Sequence, residues 1–503
     1  MYSALKKCFI SIVVISLSIN SLNGQIRSSK KPKFNLAPKT ALTQMKILPK
    51  QNNKYLLDNE QNNNKIGPHQ IGTTIDVNFN LNNSGKWVEL DNGGRIWTLS
   101  IFSESAKGIN LIYNEFDLPD GAELNLYSKT KHQHLGSYTA KNNKDTNIMA
   151  TQPIIGDTII LELYEPKKAR NLSKLSISKA IHHYKESFLT TKTTINYESS
   201  GYCNIDVSCS EGDNWTAEIK STAMFQIGNG YCSGILINNT SNNKEQYFLT
   251  AKHCINGSSN LLGSTIFYFN WQLENCDSET MPIYNTVVGA EQIFNDTRTD
   301  IALLKITTPI PESYNINYSG WDNTDLNHTS TTVLHHPKGD VKKISSDNSQ
   351  PSTSEMILFD GMTENAVWEV VWDSGTTESG SSGSGLYNQN FHLIGHLIGG
   401  AASCIDQNLP DYFGKLSISW QLGLNTYLDP LNLNLSSINT TDRVANSYDI
   451  NLDGNVNKED VTSLIDIVTN TSISSSLDSS FNSYSTATVA NILDLIQTLN
   501  NAE

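Results

Sequence analysis

The sequence is short of charge, of cationic clusters and of long apolar runs. Charged residues make up 17% of the 503 residues and the net charge is −14. Phosphate contacts need a basic face and no run rich in Lys and Arg is present, so a nucleic-acid partner is not expected. After the N-terminus, no stretch approaches the ~20 apolar residues that a membrane helix requires. A hydrophobic content of 38% indicates a folded, soluble protein, and the length favours several domains.

The one apolar run lies at the N-terminus and is too short to span a bilayer comfortably. Lys6 and Lys7 precede "CFISIVVISLSI", and the small residue Gly24 follows as a cleavage point. This order is typical of a signal peptide over residues 1–24, so we expect a secreted or extracellular protein without a membrane span in its mature form. The alternative is a buried N-terminal helix or strand.

The sequence also lacks any C-x-x-C spacing, which makes a zinc site the weaker interpretation of its cysteines. Removal of Cys8 with the signal peptide leaves six cysteines between positions 203 and 404. An even number of cysteines in an exported protein favours disulfides, although the sequence alone does not choose among the pairings.

Composition and periodicity divide the rest of the chain into segments. Alternating runs such as "RIWTLSIF" and "TIILELYE", separated by turn signals, predict the strands of a β-sandwich. The cysteine-bearing segment again has short strands and many turns, as in a double barrel or a large sandwich. The expected boundaries are a flexible lead at 25–70, a β-rich domain at 71–170, a polar processing linker at 171–198, the cysteine-bearing domain at 199–435 and a C-terminal module at 436–503.

Three residues in separate motifs suggest nucleophilic catalysis. His253 follows an apolar strand in "YFLTAKHCI", Asp300 enters the buried run of "TDIALLKI", and Ser382 lies in the glycine-flanked turn "ESGSSGSG". A carboxylate entering an apolar run needs a hydrogen-bonding partner, which a histidine supplies. The order His, Asp, Ser is that of the chymotrypsin type of catalytic triad.

Other residues of the same types fit these roles less well. His335 and His336, in "VLHHPKG", follow the aspartate motif instead of preceding it, so we interpret them as structural. Asp296 is near Asp300 but lies in a polar, turn-like stretch. For His253 itself, a structural histidine at a strand end is the alternative.

Together the motifs identify a family resemblance. "SSGYCNIDVSCSEGD", "FLTAKHC", "TDIALLKI", "HHPKGDVKKIS", "TTESGSSGS" and "PDYFGKLSISW" resemble the bacterial lysyl endopeptidases of the trypsin-like superfamily, over about residues 199–430. The resemblance implies a trypsin-like double six-stranded β-barrel, preceded by a β-sandwich-like propeptide. It also implies that His253, Asp300 and Ser382 form the triad, with no cofactor for catalysis.

The same resemblance implies a substrate pocket. Asp411, in "PDYFGK", matches the family position whose aspartate receives the lysine ammonium, and Glu378 matches a second acidic position. Ile398 and Gly399, in "GHLIGG", flank the pocket. Ile398 replaces a histidine of the family, so the preference for Lys over Arg stays open. The backbone N–H groups of Gly380 and Ser382 are expected to stabilise the oxyanion.

The resemblance further implies disulfides and a route of maturation. The family pairing joins Cys203 to Cys404, Cys209 to Cys276 and Cys232 to Cys254. Ser381 stands where trypsin-like zymogens have the aspartate that binds a new N-terminal amine, so activation by that switch is not expected. We instead expect removal of the propeptide, with Lys185 or Lys192 as the point of self-cleavage.

The C-terminal module carries a calcium-loop pattern. The stretch "DINLDGNVNKED" has oxygen-bearing side chains at the ligand positions of such a loop and Gly454 at its turn. This predicts Ca²⁺ binding by Asp449, Asn451, Asp453, Asn455 and Asp460. The module resembles one half of a dockerin, which implies a small α-helical, EF-hand-like fold and a cohesin-bearing scaffold as a partner. In the second half, serine and threonine replace most of the ligand carboxylates.

These observations predict a secreted serine endopeptidase that hydrolyses peptide bonds after lysine through an acyl-enzyme. Its partners would be protein or peptide substrates and a cohesin-type scaffold. The alternative from another class is a non-catalytic, protease-like module that serves adhesion or binding.

Overall fold

A computed structural model describes residues 44–60, 67–130, 133–185, 200–276, 278 and 282–441, together with residues 458, 461 and 462. The predicted signal peptide, Lys192 and the predicted calcium ligands lie outside the described residues. We call residues 44–185 the N-terminal β-domain and residues 200–441 the central β-domain. No helix in the described part of the chain is long and apolar enough to cross a membrane.

The N-terminal β-domain consists of twelve strands in its described residues and one α-helix, α1 (Asn53–Glu60). Its strands are β1 (Gln44–Ile47), β2 (His69–Gln70), β3 (Gly72–Asn80), β4 (Lys86–Glu89), β5 (Arg95–Phe102), β6 (Gly108–Asp117), β7 (Glu123–Ser128), β8 (His134–Tyr138), β9 (Met149–Ala150), β10 (Ile154–Ile155), β11 (Thr158–Glu165) and β12 (Lys174–His183).

Two sheets make up this domain. One has the order β1-β5-β11-β7-β8 with β4 beside β5, and the other has the order β10-β6-β12-β3 with β9 beside β6. The alternation of β11, "TIILELYE", places Ile159, Leu161 and Leu163 on one buried face. Both sheets contribute to a common hydrophobic cluster, as expected of a sandwich.

Two expected boundaries of this domain were wrong. Part of the segment expected to be a flexible lead is structured, because β1 pairs in parallel with β5 and α1 follows it. The expected processing linker begins too early, since Lys174–His183 forms β12, which pairs with both β3 and β6. The lysines that suggested a linker alternate along β12 with the buried residues Leu175, Ile177 and Ala180.

The described residues of the central β-domain contain seventeen strands and three short α-helices. The strands are β13 (Ile205–Asp206), β14 (Thr222–Ile227), β15 (Gly230–Leu236), β16 (Tyr247–Ala251), β17 (Ile266–Phe269), β18 (Asn285–Val288), β19 (Ala290–Asp296), β20 (Ile301–Ile306), β21 (Trp321–Asp322), β22 (Thr331–His335), β23 (Lys343–Asp347), β24 (Ser352–Ser354), β25 (Val367–Val370), β26 (Gly385–Asn388), β27 (Leu393–Gly400), β28 (Asp411–Lys415) and β29 (Ser437–Ile438). The helices are α2 (Thr216–Ile219), α3 (Leu416–Ser419) and α4 (Asn425–Leu428).

These strands form two sheets, so the chain is mainly β, as predicted. The first has the order β18-β17-β14-β15-β16-β20-β19 and also receives β2 of the N-terminal β-domain at β15. The second has the order β13-β23-β22-β26-β27-β28-β25-β24, with β21 and β29 at its side. Because β29 pairs with β21, the central β-domain extends beyond the expected boundary at 435.

Three disulfides in the central β-domain confirm the pairing that the family resemblance implied. They join Cys203 to Cys404, Cys209 to Cys276 and Cys232 to Cys254. The first spans 201 residues and attaches the start of the domain to the second sheet. Bridges that close long loops constrain the unfolded chain most, at about 2–4 kcal/mol each.

Candidate active site

The loops at the junction of the two sheets bring His253 and Asp300 together. His253 lies in a 3₁₀ turn directly after β16, and Asp300 is the last residue of the turn between β19 and β20. Since β16 pairs with β20 (Ala251 opposite Ile301), the two turns are neighbours. The antiparallel ladder therefore places a histidine and an aspartate, 47 positions apart, side by side.

Two hydrogen bonds hold this pair. The His253 ring nitrogen Nδ1 is 2.5 Å from Asp300 Oδ2, and the His253 main-chain N–H donates to Asp300 Oδ1 over 2.9 Å. Asp300 is 1% exposed and has a positive φ of 59°, which short polar side chains tolerate better than most. The carboxylate thus fixes both the ring and the main chain of His253.

Ser382 lies against the same corner of the first sheet. Its carbonyl oxygen accepts a hydrogen bond from the Ser233 N–H of β15 (2.9 Å) and lies 3.7 Å from Cys254 Sγ. Among the described residues, neither Ser382 Oγ nor His253 Nε2 has a hydrogen-bond partner, although both atoms are buried. These open positions leave the Ser382 hydroxyl able to give up a proton and His253 Nε2 able to accept one.

Glycines let the chain make the turn around Ser382. Gly380 and Gly383 both have positive φ values, of 94° and 84°. A Cβ on Gly383 would lie 2.1 Å from Thr250 Oγ1 and 2.4 Å from the Ser233 carbonyl oxygen. Only glycine allows this approach, which brings the Ser382 turn against the strands that end near His253.

The residue before Ser382 has its own buried partners. Ser381 Oγ is 2.7 Å from His335 Nδ1 and accepts a hydrogen bond from the Glu378 main-chain N–H (3.2 Å). His336 Nδ1 contacts the Asp340 carbonyl oxygen (2.9 Å). These contacts give both histidines the structural surroundings that the sequence suggested.

Asp411 lies at the start of β28 and is fully buried. Its Oδ2 accepts hydrogen bonds from Trp372 Nε1 (2.9 Å) and Thr377 Oγ1 (2.6 Å). Asp411 pairs with Gly400 of β27, where a Cβ would lie 2.3 Å from its Oδ1. A buried carboxylate is therefore present at the predicted pocket position, held by two donors.

The other predicted pocket residues have different surroundings. Glu378 accepts hydrogen bonds from the Gly201 N–H (2.7 Å) and Asn204 Nδ2 (3.0 Å), and its Oε1 is 2.7 Å from Lys338 Nζ. Ile398 is fully buried in a small apolar cluster, and the next residue, Gly399, pairs with Tyr412. Protein groups surround the side chains of Glu378 and Ile398. Contact of these two side chains with substrate stays a prediction.

Asp296 is not part of the His253 pair. It forms an ion pair with Arg298 (2.6 Å), and hydrogen bonding to that guanidinium lowers the pKa of Asp296. This contact agrees with the preference for Asp300 as the partner of His253.

Sequence reasoning missed His396 of β27. Its Nε2 is 3.1 Å from the Asp300 carbonyl oxygen, and burial lowers its pKa to about 4, so the neutral ring donates to that carbonyl. The motif "GHLIGG" suggested pocket residues, whereas its histidine meets Asp300 only in the folded chain.

Among the described residues, one cluster has the composition of a metal site, namely Cys232, His253 and Cys254. Its two cysteines share a disulfide and cannot act as thiolate ligands.

Comparison with known proteins finds similarity to proteases over part of the chain. Residues 197–414 match the family model for the lysyl endopeptidase C-terminal domain. A lysyl endopeptidase of Pseudomonas aeruginosa is 28% identical over 359 residues, which cover 66% of this chain and 75% of that protein. The chain is a serine endopeptidase.

Solved structures similar to the endopeptidase include two bacterial proteins. The MamO protease domain of Magnetospirillum magneticum is 11% identical, with a TM-score of 0.29, over 41% of this chain and 98% of that one. Rv3671c of M. tuberculosis H37Rv is 15% identical, with a TM-score of 0.28, over 44% of this chain and 91% of that one.

Proposed function

We propose that the chain is a secreted endopeptidase that cleaves on the C-terminal side of lysine, with Ser382, His253 and Asp300 as its catalytic triad. One observation carries this proposal. Asp300 holds the His253 ring at Nδ1, while His253 Nε2 and Ser382 Oγ are both buried and have no hydrogen-bond partner among the described residues. A nucleophile and its base need free positions of this kind.

The chemistry follows from these residue types. His253 Nε2 takes the proton of Ser382 Oγ as that oxygen attacks the peptide carbonyl, and later returns it to the leaving amine. Asp300 holds the proton on Nδ1, so Nε2 is the basic nitrogen. Water then attacks the acyl-enzyme carbonyl while His253 takes its proton, and that proton passes to Ser382 Oγ as the acid product leaves.

The main-chain N–H groups of Gly380 and Ser382 are the proposed oxyanion donors. Their orientation depends on the positive φ of Gly380, and the Gly380 carbonyl is held by Ser233 Oγ (2.9 Å). Each such donor contributes roughly 10²–10³ in rate.

Lysine preference is proposed from Asp411. Its buried carboxylate accepts hydrogen bonds from Trp372 and Thr377, and we propose that it binds the compact ammonium of a lysine side chain. The lysyl endopeptidases that the chain resembles support lysine over arginine.

Two experiments test these assignments. An organophosphate should label the purified protein, and Ser382→Ala should abolish the labelling while Ser384→Ala retains it. Labelling that persists in Ser382→Ala would overturn the choice of nucleophile, and no labelling of processed wild type would favour the non-catalytic alternative. Mass spectrometry of a digested proteome should find cuts mainly after lysine, and a different dominant residue would overturn the pocket assignment.

The C-terminal module is proposed to bind Ca²⁺ through Asp449, Asn451, Asp453, Asn455 and Asp460, and to attach the enzyme to a cohesin-bearing scaffold. The spacing of oxygen ligands in the sequence supports this proposal. Isothermal titration with CaCl₂ should show one site that Asp453→Ala removes. No heat of binding in the wild type would overturn it.

A further inference from the structure

A short strand of the N-terminal β-domain pairs with β15 of the first sheet, at residues of β15 that its neighbour β16 does not cover. Residues His69 and Gln70 of β2 pair antiparallel with Tyr231 and Gly230 of β15. The pairing continues at the next residue, where the Ile71 N–H donates to the Asn229 carbonyl oxygen (3.0 Å).

Side chains extend this main-chain pairing. Asn229 Nδ2 donates to both Gln70 Oε1 and the Gly72 carbonyl oxygen, each at 2.7 Å. His69 Nε2 is 3.4 Å from Nζ of Lys185, the last residue of the N-terminal β-domain. The segment thus has a defined register on β15 instead of a loose contact.

The added strand lies beside the nucleophile turn. Two residues after Tyr231 along β15, Ser233 bonds to the carbonyl oxygens of both Gly380 and Ser382. A Cβ placed on Gly380 would lie 3.2 Å from the Cβ of His69. His69 therefore contacts the turn whose N–H groups are the proposed oxyanion donors.

The position relative to Asp411 indicates which part of a substrate this strand replaces. Asp411 and Gly399 belong to β28 and β27 of the second sheet, whereas β15 belongs to the first sheet, across the Ser382 turn. If the lysine side chain points to Asp411, the residues after the cleaved bond lie on the β15 side. Extended peptides bind sheet edges by this kind of strand addition.

The rest of the interface keeps the segment in place. One hydrophobic cluster contains Tyr231, Trp271 and Val341 of the central β-domain together with core residues of the N-terminal β-domain. Gln152 Nε2 also donates to Thr286 Oγ1 over 2.8 Å. Because the docked domain holds the strand, little further ordering entropy opposes its pairing with β15.

We propose that Pro68–Gln70 occupies the site for the substrate residues that follow the cleaved bond, so that the N-terminal β-domain excludes extended peptides from the active site. This inference rests on the proposed function for the direction of substrate binding. The strand acts by occupying the side of β15 at Gly230 and Tyr231, and no covalent bond is made or broken.

Gln70 offers a way to loosen the segment without changing β15. Its Oε1 accepts a hydrogen bond from Asn229 Nδ2 over 2.7 Å. Gln70→Ala therefore removes this contact and leaves the main chain of Gly230 and Tyr231 unaltered. Gln51→Ala is a matched control, since the Gln51 side chain donates to the Pro49 carbonyl oxygen, away from β15.

The test uses the full chain with Ser382→Ala, which prevents self-cleavage, and two fluorescent peptides. One peptide ends at lysine, and the other continues for three residues beyond it. We expect Gln70→Ala to tighten binding of the longer peptide by about fivefold, since occupancy of β15 by the segment lowers apparent affinity and one hydrogen bond of the segment is lost. Binding of the shorter peptide should not change, and Gln51→Ala should keep the weak binding of the parent.

The inference would be overturned if both peptides bound more tightly by the same factor, or if the affinity for neither peptide changed. Asn229→Ala, which removes the hydrogen bonds to Gln70 and Gly72, is a second variant and should also favour the longer peptide. A Ser382→Ala chain that still cleaves the peptides would overturn the proposed nucleophile, a result that is distinct from the comparison of affinities.

Discussion

Asp300 holds His253 at two points, through the ring nitrogen Nδ1 and through the main-chain N–H. The first contact determines which ring nitrogen carries the proton, and the second fixes the position of the His253 main chain. One carboxylate thus controls both the tautomer and the position of the proposed base.

Asp300→Asn should therefore lower kcat by about 10³ to 10⁴ with little change in KM, because an amide favours the wrong tautomer of His253. Steady-state hydrolysis of a lysine ester or amide measures the effect. Asp296→Asn is the matched control and should retain activity, since Asp296 pairs with Arg298. Equal losses in both variants would contradict the role of Asp300.

Asp411→Asn should lower kcat/KM for lysine substrates by about 30-fold or more, because the lysine ammonium would lose the buried carboxylate proposed to bind it. Hydrolysis of paired substrates with lysine or norleucine before the cleaved bond measures the selectivity. Thr377→Val, which removes one donor to Asp411, should weaken selectivity less. An unchanged preference in Asp411→Asn would exclude it as the specificity residue.

Gly383→Ala should lower kcat by roughly 100-fold or more, because its Cβ would meet Thr250 and Ser233 and push Ser382 out of place. Gly257→Ala is a matched control, since Gly257 also has a positive φ (73°) but no atom lies within 4 Å of the added Cβ. Similar activity in the two variants would show that the close approach is not needed.

Glu378→Gln should lower the free energy of unfolding by about 1–3 kcal/mol, because the carboxylate accepts two hydrogen bonds from residues 201–204 and pairs with Lys338. Urea unfolding of the processed enzyme measures the change. Selectivity for lysine should be retained if Glu378 anchors this segment. Loss of selectivity without loss of stability would instead support the substrate contact that the sequence suggested.

Acid should loosen the β2 strand from β15. Burial, with the nearby cations Lys185 and Lys338, lowers the pKa of His69 to about 3 in the docked chain, against 6.5 when free. A lowered pKa means that docking is strongest above pH 6.5 and weakens as the pH falls, by up to about tenfold per unit. Affinity of the Ser382→Ala chain for the longer peptide should rise between pH 6.5 and 5, and His69→Gln should remove this slope. A flat profile in the parent chain would contradict the prediction.

Local patterns in the sequence predicted much of the molecule. Alternation predicted β11 and its buried face, and the order of His253, Asp300 and Ser382 with their flanking residues identified the candidate triad. These signals are local, because strand periodicity and turn chemistry depend on neighbouring residues. The same reasoning misjudged Lys174–His183, whose polar face looked like a linker until β3 and β6 paired with it.

The sequence by itself determined the mainly β architecture, the residue types of the candidate site and, through family resemblance, the disulfide pairing. Only the tertiary structure decided that His396 meets the Asp300 carbonyl, that Glu378 binds the start of the central β-domain, and that Pro68–Gln70 lies on β15. These contacts join residues about 96 to 177 positions apart, and no periodic pattern encodes them. Packing of whole sheets and domains sets such distances.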